Sequence, residues 1–245
     1  MHKKITKLHA AHPQKNKNAQ IVSFFIFIFL YCLLFLPDFS DISVLFNAKT
    51  EAPEFRFSDE DAAAQIVMFY IPAIFTVFCA NKSQKRRFLP EKTAFQPKSG
   101  FTSRRRAAIA FCKDIFFTIA GLFSIALAVS SLSWIFPPST TPSVHFTGRF
   151  FISIPLFFIC SAVLEELFFR VYAVSALKSR PLPRGRAAGV SALLFTLPHL
   201  WEGPPGMLNA LLAAFLLNAV YQKNKSLAQI SAAHAAYNIA AAAFG

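Results

Sequence analysis

Two adjacent glutamates, Glu165 and Glu166, and an arginine, Arg170, stand inside one of the most apolar stretches of the chain, CSAVLEELFFRVYAVSAL at 160–177. A charge at the centre of a bilayer costs from ~3 to over 10 kcal/mol, so three charges in six residues need partners or a task. Residues four apart share a helical face, which pairs Glu166 with Arg170. Glu165 is turned ~100° from Glu166 on a helix and needs a different partner. Two later apolar segments supply candidates. FTLPH ends in His199, and HAAYN places His234 and Asn238 four apart on one face. A carboxylate beside an imidazole is the pairing that activates water.

Helices must bring these groups together. The chain has 245 residues, 55% hydrophobic with 30 Phe, and only 15% are charged, against ~25% in soluble domains. Apolar runs at 21–36, 62–80, 115–136, 150–177, 187–201, 204–221 and 227–244 predict an all-α, polytopic membrane bundle of seven transmembrane helices, or eight. A span needs ~20 apolar residues, so the first and fifth runs are short. Counting ~1.5 Å per residue from the basic end of each run, Glu165, Arg170, His199, His234 and Asn238 fall roughly 10–20 Å deep. Three helices thus carry their polar groups into one layer.

Basic residues orient the bundle. Twenty lie in the N-terminal tail, in 81–106, and after the fourth and sixth runs; three lie in the alternate loops. Lys and Arg accumulate on the cytoplasmic side, so the N-terminus is expected inside. The expected organisation is a basic cytoplasmic tail (1–20), N-terminal transmembrane helices and loops (21–149), and a helical core carrying the chemistry (150–245). A net charge of +13 is here explained by topology and anionic lipid; the partner expected is membrane lipid, not nucleic acid. Localisation follows as a multi-pass integral membrane protein, in the plasma (inner) membrane if bacterial. Cys32, Cys79, Cys112 and Cys160 form no Cys-x-x-Cys pair and read as buried small hydrophobes. The loop 81–106 reads as lipid-hugging or partly disordered, and FPPS (136–139) and GPPG (203–206) as punctuation between spans. Asp114, beside Lys113, reads as an interfacial charge. Asn209 and Asn218 suit hydrogen bonding between helices.

Taken in order, EELFFR (165–170), FTLPH (195–199) and HAAYN (234–238) resemble the motifs of the CPBP family, the intramembrane CAAX-type prenyl endopeptidases and bacteriocin-processing or self-immunity proteins. The resemblance covers 150–245. It implies a helical intramembrane protease in which Glu165, with His199, activates a water to attack a peptide carbonyl. His234 and Asn238 would stabilise the oxyanion, and Glu166 with Arg170 would form a structural ion pair in the site. Phe195 would pack behind His199. No cofactor is expected; a metal-dependent variant would hold zinc with Glu165, His199 and His234, although His-Glu-x-x-His is absent. The substrate implied is a peptide or protein, prenylated at a CAAX-type end or carrying a leader. Two other readings use the same residues: a proton-coupled transporter, which predicts repeats that the chain lacks, and a non-catalytic bacteriocin-immunity or peptide-binding membrane protein. Pro198 disrupts the helical bond four residues back, so it either kinks the fifth span or marks its outer end.

Overall fold

Seven helical stretches hold nearly all the residues described in the computed structural model, which are 12–35, 55–88, 101–132, 144–147, 152–178 and 183–244. Each overlaps one of the seven apolar runs. They are α1 (His12–Phe35), α2 (59–88), α3 (Phe101–Ser130), α4 (153–178), α5 (Arg184–Thr196), α6 (Gly203–Asn224) and α7 (Leu227–Phe244). A 3₁₀ turn, Leu197–Glu202, prolongs α5. Two four-residue strands depart from an all-helical chain: β1 (Phe55–Ser58) and β2 (Val144–Thr147) pair in parallel. Their pairing sets the beginnings of α2 and α4 side by side, where the two helices pack.

Local signals explain several boundaries. Ser58 and Asp61 form a reciprocal capping box that starts α2, satisfying amides the first turn leaves open. α6 stops at Lys225, in the left-handed region at φ 55°, and α7 begins two residues later. Helix extends to Phe88 and resumes at Phe101, so the expected loop 81–106 is shorter than the sequence suggested. Its remainder, residues 89–100, and the FPPS segment lie outside the described residues.

α7 lies against α4 and α3, α6 bridges α3 and α5, and the middle of α4 contacts α2 and α5. The largest core cluster is aromatic. Phe27 and Tyr31 of α1 stack on Phe168 of α4, and Phe35 sits 4.7 Å from both Phe168 and Phe169. The outer faces are equally apolar. Met68, Phe75, Phe116 and Leu127 are each at least two-thirds exposed, an arrangement that suits lipid and not water. Glu60–Ser83, Arg106–Ser130 and Gly203–Asn224 are long and apolar enough to cross a membrane, and Ile21–Phe35 is a shorter apolar helix. The cysteines correct the sequence reading. Cys32, Cys79 and Cys112 are exposed on those outer faces, Cys160 is half-buried, and all four are free.

Candidate active site

The glutamates end the regular part of α4. Directly after Glu166 the helix widens into a π-helical segment, Leu167–Ala173, a form found mostly as short insertions at functional sites. Widening changes which backbone carbonyls find partners, and the buried Ser191 hydroxyl of α5 donates to the Phe169 carbonyl at 2.5 Å. Glu166 is fully buried and Arg170 nearly so. Arg170 donates through Nε to Glu166 Oε2 (2.8 Å) and through Nη2 to Oε1 (3.3 Å). The pair has a third member: Nδ1 of His234, on α7, lies 3.0 Å from Glu166 Oε1.

His234 stands between the two glutamates. Its other ring nitrogen, Nε2, is 3.8 Å from Glu165 Oε2. Glu165 is held through its other oxygen by Ser161, one turn earlier, whose hydroxyl donates to Oε1 at 2.8 Å. The phenol of Tyr70, in a second π-helical segment on α2 (Ile66–Tyr70), approaches Ser161 and Glu165.

His199 arrives by a different route. α5 ends at Thr196, and Pro198 opens the 3₁₀ turn, so proline marks the outer end of this helix instead of kinking its middle. Proline has no N–H, and the carbonyl four residues earlier loses its helical partner. That carbonyl belongs to Leu194, and the Tyr31 hydroxyl of α1 donates to it at 2.9 Å. Phe195 is the hub of the site. Its ring centroid lies 5.1 Å from that of His199, 6.2 Å from His234 and 5.1 Å from Phe169, and the Arg170 guanidinium sits 4.9 Å over it. His199 Nδ1 is 2.6 Å from Glu202 Oε1. No hydrogen bond joins His199 to Glu165, which is near enough to act on it electrostatically.

Residues 147–240 match the model of a family described as type II CAAX prenyl endopeptidase Rce1-like. That segment, well under half of the chain, is similar to an Rce1-like domain, and three helices of the chain are long and apolar enough to cross a membrane. No curated protein and no solved structure matches the chain. The matched segment takes in the last residue of β2, all of α4, α5 and α6 and most of α7, and with them Glu165, Glu166, Arg170, Phe195, His199, His234 and Asn238. Tyr31 and Tyr70 reach it from helices that precede the match.

Within that segment the fold bonds Glu166, Arg170 and His234 together and brings Glu165 to 3.8 Å from His234, with His199 alongside across Phe195. Asn238 lies one turn beyond His234 on α7 and is half-buried. Of the zinc set Glu165, His199 and His234, each imidazole has its Nδ1 engaged by a carboxylate, His234 by Glu166 and His199 by Glu202. Among the described residues no three His, Cys, Asp or Glu side chains group to hold a metal ion. Sequence reasoning missed Glu202, Ser161 and Tyr70. Ser161 was within reach, because it precedes Glu165 by four. Glu202 sits three after His199 in HLWEG, another helical spacing. Nothing local pointed to Tyr70.

Proposed function

We propose that this protein is an intramembrane endopeptidase that hydrolyses a peptide bond near the end of a prenylated, CAAX-type substrate. The bundle crosses the membrane seven times with its N-terminus in the cytoplasm, and the site is reached from the cytoplasmic half. The observation that carries the reading is His234 seated between Glu165 and Glu166, at 3.8 and 3.0 Å, beside His199.

In this reading Glu165 takes a proton from a water as its oxygen attacks the scissile carbonyl. His199 orients that water through Nε2, the ring nitrogen not engaged by Glu202. Two carboxylates, Glu166 buried and Glu165 partly exposed, against one guanidinium leave a net negative charge, so His234 balances the set as an imidazolium. Its Nε2–H then donates to the oxyanion, together with the Asn238 amide. When the tetrahedral species collapses, the C–N bond breaks and Glu165 returns the proton to the leaving amine. Glu166 and Arg170 hold α4 and His234 in place, and no step passes through a metal.

A groove of about 590 Å³ between α4 and α7 favours an apolar substrate chain. Val163, Ala235 and Ser231 line it, all within a few residues of Glu165 or His234, and the buried Ser231 hydroxyl has no hydrogen-bond partner among the described residues. The test uses the full chain in lipid nanodiscs with a farnesylated CAAX peptide and its unprenylated twin. Mass spectrometry should find the C-terminal tripeptide released from the farnesylated peptide, at a rate indifferent to chelator. Equal cleavage of both peptides contradicts the substrate class, and loss of cleavage with chelator contradicts the metal-free mechanism.

A further inference from the structure

We infer that Glu202 is the positioning residue for His199, an inference that rests on the role proposed above for that histidine. The two side chains are equally accessible, each 28% exposed, and their 2.6 Å separation is the shorter of the two histidine–carboxylate hydrogen bonds in the site.

The segment WEGPPG (201–206) is shaped to hold this carboxylate. Gly203 has φ 72°, a conformation that costs a side-chain-bearing residue but not glycine, and there the 3₁₀ turn reverses into α6. Pro204 and Pro205 occupy the first helical positions, where a missing N–H costs nothing. Gly206 completes the fit. A Cβ there would collide with the Glu202 Cβ and stand 2.7 Å from Oε2. The carboxylate therefore lies against the first turn of α6, where backbone amides favour negative charge. Capping α6 is not its task, because Glu202 makes no side-chain capping bond there.

A carboxylate only accepts hydrogen bonds, so the bond fixes the proton on His199 Nδ1 and leaves the Nε2 lone pair open. The Phe195 ring, 5.1 Å away, packs against the imidazole and limits its rotation. Orientation and tautomer are both set before any substrate arrives, which is how a general base or water-orienting group gains efficiency.

The test labels histidine with ¹⁵N in the full chain in nanodiscs and assigns His199 by the loss of its signals in His199→Gln. Wild type should show Nδ1 protonated and hydrogen-bonded, with Nε2 unprotonated. Glu202→Leu should give mixed tautomers. Turnover of the farnesylated peptide should then fall about tenfold to hundredfold in kcat, with KM nearly constant. Glu202→Gln, whose carbonyl still accepts, should recover most of both. Gly206→Ala, which displaces the carboxylate without removing it, should disturb the same His199 signals. An unchanged His199 spectrum in Glu202→Leu overturns the inference. So does full turnover in Glu202→Leu when His199→Gln is inactive, and that result leaves the proposed mechanism standing. Turnover that survives His199→Gln overturns the mechanism and this inference with it.

Discussion

Glu166 shows what a buried charge needs. It accepts from Arg170 twice and from His234 once, and its side chain is wholly shielded from solvent. Removing one member of such a pair strands the other in a low dielectric, at about 3–5 kcal/mol, whereas replacing both by apolar groups is often near neutral. Glu166→Leu and Arg170→Met should therefore each lower stability by about that amount, and the double variant by clearly less than the sum. Thermal unfolding in one lipid or detergent measures this, and additive losses would refute the pairing. The spacing of Glu166 and Arg170 made this pair legible in the sequence, since helical geometry alone puts residues four apart on one face. The bond from His234 to Glu166 was not legible. It depends on how α7 docks on α4, and no local spacing encodes that.

Pro198 and Tyr31 illustrate the same limit for whole helices. Proline before His199 signalled an end or a kink, and the element that satisfies the freed Leu194 carbonyl lies 163 residues away in sequence. Tyr31→Phe removes the donor and keeps the ring in its aromatic stack, so it should cost about 1–3 kcal/mol, the usual penalty for an unsatisfied buried acceptor. Equilibrium unfolding checks it. A loss within error would mean that the 3₁₀ turn meets the carbonyl's needs by itself. The seven helices were readable from apolar run length. Their facing was not, because segments such as FFIFIFLYCLLF are apolar all round and carry no amphipathic stripe. The two π-helical segments and the parallel pairing of β1 with β2 likewise left no periodic trace. Pro198 ended α5 where the sequence allowed two outcomes, and the 3₁₀ turn decided between them.

Across the molecule, the Rce1-like segment does not stand apart from the helices before it. Tyr31 of α1 and Tyr70 of α2 both reach it, and Asn224 at the end of α6 donates to Asp114 of α3 at 3.0 Å and to Gln229 of α7 at 3.0 Å. Asn224 thus joins three helices, and Asp114, which read as an interfacial charge, is its partner on α3. Asn218 similarly donates to the Ala188 carbonyl, joining α6 to α5. Orientation is the largest-scale expectation. The basic segments of the tail and of 81–106 should share the cytoplasmic side, with the end of α7 opposite. Single cysteines at Ser99 and Gly245, in a chain whose four native cysteines are serines, should then label from opposite sides of sealed vesicles. Labelling from one side by both would mean an even number of crossings between the two positions.

The central claim is that Glu165 activates the water, and one comparison reaches it most directly. Wild type and Glu165→Gln, purified in the same lipid, would be given the farnesylated peptide under single-turnover conditions, and product termini read by mass spectrometry. The amide keeps the shape and the acceptor for Ser161 but is no base, so hydrolysis should fall by at least about 10²–10⁴, the range general-base catalysis contributes. Peptide binding, measured in parallel, should stay within a few-fold. Hydrolysis by Glu165→Gln at the wild-type rate would contradict the account.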